Sequence, residues 1–438
     1  MQRFEYFTDD DVQKIHEATL RVLETVGVDF GYEPAVEVFK KAGCKVEGQR
    51  IFLSPKMVME QVAKAPSEFT LQARNPEKNV IIGGDHIAYI PCYGPPFVHD
   101  MDRGRRESTL EDYTNFVKLS YASKSIDITG GMMAEPNDIP HARRNAEMML
   151  ASMRYSDKPF MGGAIGAEAA RETIEMAAIL FGCSEAALAE KMPMISILCT
   201  RTPLAYDDRM LGAIMEYAKA GMPQLIREGT PVVFSGSSSA AAMRYGTLSI
   251  GAPEMAVNTA ATAQMARFYG IPSRGGGAIT DSKLPDAQAG MESMMSQLMA
   301  TLSGVHFVLH SAGILEGYMT ASYEKFVIDD EICGMCKRIK RGEQADPAKL
   351  ALDVIAQVGP GGEYLTNMHT FQNFRKEFYT PIMEQKEAYA GWKEKGGEPI
   401  ERAANRKWKE ILDAYQEPGM PDDTIGELKN YIEKKYGK

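Results

Sequence analysis

Between Arg274 and Asp286 the chain sets opposite charges around three consecutive glycines. Arg274 precedes Gly275, Gly276 and Gly277, and Asp281, Lys283 and Asp286 follow. A glycine run lets another molecule approach the backbone closely, so the pattern describes the rim of a pocket. The plainer alternative is an exposed turn with solvated charges. Two other groups have reactive side chains. Cys333-Gly-Met-Cys336 has the spacing of a zinc or redox pair. It lacks two further ligands and lies in a helical stretch, Phe326 to Ile339, so structural thiols are expected and no metal site. Ala88 to Phe97 holds Tyr93 and Phe97 around Pro95-Pro96, which enforce a rigid, extended loop.

The surrounding elements repeat one unit. Short apolar strands are expected at Ile126–Gly131, Lys158–Gly163, Pro193–Thr200, Thr230–Gly236, within Tyr269–Gly277 and at Val305–His310. Helices are expected between them, at Ala142–Tyr155, Glu168–Phe181, Asp207–Ala220, Pro253–Phe268 and from Pro285 to Leu302. Buried strands alternating with helices imply a parallel sheet. Glycines at several strand ends favour an α/β fold closed as a (β/α)8 TIM barrel. A doubly wound sheet would carry Gly-x-Gly-x-x-Gly after its first strand, and that motif is absent. Residues 1–90 read as a helical N-terminal cap. Residues 91–340 read as the barrel, and 341–438 as a charged C-terminal helical layer anchored by Trp392 and Trp408.

Composition narrows the function. A net charge of −10, without a basic block, argues against nucleic acid. No apolar run approaches the ~20 residues of a membrane span. Six cysteines in 438 residues form no disulfide framework, so a reducing, cytoplasmic setting is expected. Most of the 28 methionines are expected to fill core gaps. A homo-oligomer is expected.

Several stretches together resemble the trimethylamine methyltransferase family. They are Tyr269-Gly-Ile-Pro-Ser273, Thr280-Asp-Ser-Lys-Leu-Pro-Asp-Ala-Gln-Ala-Gly290, Ala312-Gly-Ile-Leu-Glu316 with Met319-Thr320, and Val327-Ile-Asp-Asp-Glu331. Gly251-Ala-Pro-Glu254 and Gly359-Pro-Gly-Gly362 to Phe371 also fit. The resemblance runs over nearly the whole chain. It implies a TIM barrel that passes a methyl group from an amine to the corrinoid of a partner protein, with no cofactor bound by this chain. The founding members carry pyrrolysine at a position that corresponds here to Ala278. The resemblance therefore points to the non-pyrrolysine branch, whose members look like methyltransferases for glycine betaine, carnitine or proline betaine. Glycine betaine is the expected donor. One departure stands out: Ala220 to Gln224 runs directly into Leu225. The family carries a further strand and helix there, roughly thirty residues, the size of a βαβ unit. A barrel closes poorly over a lost strand, so the expectation is that a segment is missing near 224.

A quaternary ammonium cannot donate a hydrogen bond and is held by aromatic faces and carboxylates. The candidates are Tyr93, Phe97, Phe234, Tyr318 and His310, with Asp281 and Glu316 adding negative charge. Arg274 is the candidate for gripping the betaine carboxylate in a bidentate fork, with His310 donating a second bond. Gly275, Gly276 and Gly277 are where a corrinoid is expected to approach. Because a neutral tertiary amine leaves, no general acid and no nucleophile are expected on this chain, only positioning and desolvation. Two other classes stay open. One is a quaternary-amine binding protein without transfer activity. The other is a barrel lyase or aldolase using Lys283 as a Schiff base, although its flanking aspartates would not lower its pKa.

Overall fold

The computed structural model describes residues 3–197, 203–222, 232–236, 239–383 and 386–437. It is a mixed α/β structure in which helices outweigh strands. Thr8 caps the first helix, Asp9–Thr25, through a reciprocal bond with Asp11. Proline at the first turn starts Glu33–Lys41 and Pro55–Val62. Beside them lies a small sheet of Val28–Phe30, Lys45–Glu47 and Arg50–Phe52. Its fourth strand, Ala205–Tyr206, comes from far along the chain and pairs in parallel with Val28–Phe30.

Seven short parallel strands follow one another in two sheets. Phe234–Ser235, Ser273–Gly276, Phe307–Leu309 and Ala88–Tyr89 form one, in that order. Met194–Ile195, Phe160–Met161 and Thr129–Gly130 form the other. The two meet where the Asp127 amide donates to the Tyr89 carbonyl at 2.8 Å. The helices between them start and stop within about a residue or two of the expected positions, because caps, glycines and prolines mark those ends in the sequence. The expected strands shrink to two to four paired residues each. Residues 198–200 and 230–231 of two of them lie outside the described residues. One strand was hidden: Ala88–Tyr89 sits inside the stretch read as a rigid, extended loop, and pairs with Phe307–Val308. Beyond it, Phe97–Asp100 and Gly104–Glu107 form a hairpin joined in parallel to Thr320–Ser322.

Long helices deliver buried tyrosines to the glycine-rich strand ends. Tyr113, from Leu110–Ala122, donates to the Gly131 carbonyl at 2.7 Å. Tyr217, from Asp208–Lys219, donates to the Gly163 carbonyl at 2.8 Å. Each buried ring contributes about 2–3 kcal/mol of apolar stabilisation, and its hydroxyl avoids a desolvation cost by finding a carbonyl. Among the described residues no helix is long and apolar enough to cross a membrane.

His306 ties two strands together at their N-terminal ends. Its Nδ1 accepts from the Ser273 amide at 3.0 Å, and Nε2 faces the Gly84 carbonyl at 3.1 Å. Nε2 therefore carries the proton of a neutral ring. Burial pushes its pKa from 6.5 down to about 4. Between those values the unfolded chain binds a proton that the folded chain refuses, so stability falls as pH falls through that window. His306→Gln is expected to flatten the loss of stability between pH 7 and pH 5 by about 2 kcal/mol, read from denaturant titrations at both pH values. An unchanged slope would remove this role.

Candidate functional site

Beyond the C-terminal end of the Phe307–Leu309 strand, His310, Tyr93 and Tyr318 come together, and Arg274 on the neighbouring strand lies close enough for its charge to act on His310. His310 directly follows its strand and is 6% exposed. Its Nδ1 accepts from the Tyr93 backbone amide at 3.2 Å. Its ring lies 4.6 Å from that of Tyr318. Arg274 rises from the neighbouring strand, is 8% exposed, and reaches Ser235 Oγ at 3.4 Å. Burial first, and the Arg274 charge second, hold His310 well below its ordinary pKa. The ring is thus neutral. With Nδ1 engaged as an acceptor, its proton sits on Nε2, which is left as a donor.

The backbone here is strained. His310, Glu316 and Tyr318 adopt φ values of 61°, 54° and 76°, three of the six positive-φ non-glycine residues among those described. Each costs on the order of 1–3 kcal/mol and persists only where the surroundings impose it, a pattern that concentrates at functional sites. Tyr93 is seated equally firmly. Gly131, at φ 71°, lies so close that a Cβ there would meet the Tyr93 ring at 2.9 Å. Any side chain at position 131 would push that ring away.

The remaining candidates are engaged elsewhere. The Asp281 carboxylate accepts from the Ile250 amide at 3.0 Å, the Gly251 amide at 3.2 Å and Ser249 Oγ at 3.2 Å. It organises a loop and is not offered to a cation. Glu316 pairs with Arg105 at 2.8 Å and accepts from Thr320 Oγ1 at 2.6 Å. Phe97 has its face covered by the Arg105 guanidinium, 3.7 Å from the ring centroid. Phe234 turns to the outer layer, where its ring packs on Tyr269 at 5.7 Å. Its strand neighbour Ser235 is the one that meets Arg274.

The glycine run is also corrected. Gly275, Gly276 and Gly277 are buried and form no open platform for a corrinoid. A Cβ on Gly275 would strike Thr259 at 2.7 Å, and one on Gly277 would strike Gln297 at 2.5 Å. The glycines admit the helices behind the strand. Lys283 is exposed and donates to the Asp281 carbonyl at 2.7 Å, unlike a buried Schiff-base lysine. Cys333 and Cys336 are buried within the Tyr323–Arg341 helix, and burial raises both thiols, Cys336 to about 11. No group of three potential metal ligands stands together among the described residues.

One part of the site escaped the sequence reading. Lys325 and Asp329 form an ion pair with side chains 0% exposed. Lys325 Nζ also donates to Ser293 Oγ at 2.7 Å and to the Ala278 carbonyl at 3.2 Å. Asp329 accepts from the Gly313 amide at 2.8 Å. The pair thereby fixes the loop after the glycine run and the turn after His310 from beneath. The available signal was the i,i+4 spacing of opposite charges in a helix whose Glu324, Asp330 and Glu331 are also buried.

The family model for trimethylamine methyltransferase matches the chain in two pieces, residues 1–224 and 222–438. A glycine betaine methyltransferase of Desulfitobacterium hafniense (strain Y51) is 45% identical, covering 99% of this chain and 98% of that protein. A proline betaine:corrinoid methyltransferase of Eubacterium limosum is 30% identical, over 85% and 86%. A trimethylamine methyltransferase of Desulfitobacterium hafniense (strain DSM 10664 / DCB-2) is 26% identical, over 98% and 93%. The first alignment spans 470 positions against 438 residues here, so that relative holds residues with no counterpart in this chain.

Proposed function

This chain belongs to the trimethylamine methyltransferase family, and from that premise we propose that it moves a methyl group from glycine betaine to the cobalt(I) corrinoid of a partner protein. The observation that carries this reading is the arrangement of a buried arginine and a neutral histidine donor beside two tyrosines. Arg274 and His310 Nε2 bind the carboxylate. The rings of Tyr93 and Tyr318 hold the trimethylammonium, each face contributing about 0.5–2 kcal/mol. Removing water from the cation favours transfer, because its charge disperses as the C–N bond breaks. The bonding pair stays on nitrogen, and dimethylglycine leaves neutral at that atom without needing a proton. The acceptor supplies a strongly nucleophilic metal, which a reducing cytoplasm suits. None of the five described cysteines is paired.

The two parallel sheets are best read as arcs of one (β/α)8 barrel, with the N-terminal cap over one side and the C-terminal helices from 341 as an outer layer. Parallel strand order, alternation with helices and the contact between Asp127 and Tyr89 support this. Seven strands are described, and the place for one more falls between Met194–Ile195 and Phe234–Ser235. The two family-model pieces meet in that interval, supporting a βα unit missing near 224.

The test mixes the protein with reduced cob(I)alamin and a panel of amines, and follows methylcobalamin by absorbance. Methylation with glycine betaine and not trimethylamine is expected. Methylation only with carnitine or proline betaine would move the carboxylate anchor. Betaine binding by calorimetry without transfer would favour a binding protein, or show that the missing unit is needed for activity.

A further inference from the structure

Leu315 ends a short strand in extended backbone, and the next three residues all turn left-handed. Glu316, Gly317 and Tyr318 take φ values of 54°, 58° and 76° before Met319 returns to −86°. Residues with a side chain visit this region singly, and only glycine does so without cost. Gly317 alone suits the turn by residue type, so local preference does not form it. The Tyr318 ring depends on it nonetheless, because the turn delivers that ring to 4.6 Å from His310.

The turn is held from two sides. On the backbone, the Glu316 amide donates to the Ser282 carbonyl at 2.8 Å, and the Gly317 amide to the Thr280 carbonyl at 3.2 Å. On the side chain, Thr320 Oγ1 donates to the Glu316 carboxylate at 2.6 Å. Arg105 grips the same carboxylate as a fork, with Nε 2.8 Å from one oxygen and Nη2 3.4 Å from the other. Burial pushes the Glu316 carboxyl up, but Thr320 and Arg105 outweigh it and hold the group below its ordinary value.

Arg105 is itself anchored. It stands on Gly104–Glu107, and its guanidinium lies 3.7 Å from the Phe97 ring centroid on the paired strand. Buried Asp100 fixes the hairpin turn by pairing with Arg103 and Arg106. The pair between Arg105 and Glu316 is partly exposed, at 43% and 29%, so it contributes little to global stability. Its effect is local, on a turn that its own residues disfavour.

We propose that Arg105 is a positioning residue for the site: by gripping Glu316 it keeps the left-handed turn closed and the Tyr318 ring seated against His310. The consequence for substrate rests on the reading of Tyr318 as a face for the trimethylammonium group. With the grip lost, Glu316 and Tyr318 relax toward negative φ and the ring leaves its place.

Hydrogen exchange on the full chain without ligand tests the latch apart from the reaction. In Arg105→Ala the Glu316 and Gly317 amides are expected to exchange about tenfold faster, while amides of the Phe307–Leu309 strand keep their rates. Arg105→Lys is expected to fall between, because an ammonium keeps the charge and not the fork. It carries the same comparison if Arg105→Ala does not fold. Calorimetry reads the consequence. Arg105→Ala should weaken glycine betaine binding about tenfold, the loss of one aromatic face. Arg105→Ala/Tyr318→Ala should bind no more weakly than Tyr318→Ala, because Arg105 acts through that ring. Unchanged exchange at 316 and 317, or additive losses in the double variant, would overturn the proposal. A wild type that binds no betaine would instead overturn the donor, and exchange alone would then decide for or against the latch.

Discussion

Arg274→Ala is expected to weaken glycine betaine binding about a hundredfold, read by calorimetry and as a matching rise in KM. The arginine is 8% exposed, so a carboxylate bound to it as proposed would be withdrawn from water. A hydrogen bond to a charged group is worth about 1.5–3 kcal/mol, and a fork makes two. Removing it also leaves the carboxylate desolvated beside His310. Arg274→Lys is expected to recover only part of the loss, because an ammonium cannot reproduce the planar fork. The turnover rate at saturating donor should change much less than KM, since the contact proposed for Arg274 is with the end of the substrate remote from the transferred methyl. Unchanged binding in Arg274→Ala would sink its role and with it the assigned orientation of the substrate.

Asp329→Ala is expected to destabilise the protein by about 3–5 kcal/mol, measured as a lower denaturant midpoint. Burial pushes the Asp329 carboxyl up to about 6 and the Lys325 amine down. Neither charge is comfortable there, and each is tolerated because the other is present. Without Asp329, the Lys325 ammonium keeps only the Ser293 hydroxyl and the Ala278 carbonyl, and the Gly313 amide loses its acceptor. The paired change Lys325→Met/Asp329→Leu removes both charges, so its cost should be well below the sum of the single changes. Additive costs would show that the two side chains act independently. Because the pair holds the backbone just after the Arg274 strand and just after His310, substrate affinity in the folded single variants should fall as well.

The helices between the parallel strands were legible to within about two residues. Thr8, Ser54-Pro55, Asp286 and the Gly27 and Gly270 stops are local signals, read by the backbone they belong to. Strands were legible as apolar segments, not as paired residues. Ala88–Tyr89 is two residues long and runs into Pro91, so only its neighbour Phe307–Val308 makes it a strand. Side-chain direction was less legible still. Along a strand, adjacent residues face opposite sides, and Phe234 and Ser235 divide accordingly between the helix layer and Arg274. Glycines announced close approach correctly, but the approaching groups proved to be Thr259 and Gln297 of the same chain.

The amino-acid sequence by itself determined the alternation of strands and helices, the family motifs, and the types of residue able to meet a quaternary amine. Those depend on local propensity, periodicity and residue chemistry, which a linear chain displays. The tertiary structure decided which group each charge and ring meets. Asp281 and Glu316 are drawn into holding loops, Phe97 is covered by Arg105, and His310 meets Tyr93 and Tyr318 with the Arg274 charge acting on it. A charge or a ring has no function until its nearest partner is known, and here those partners lie from about eight to more than two hundred residues away along the chain.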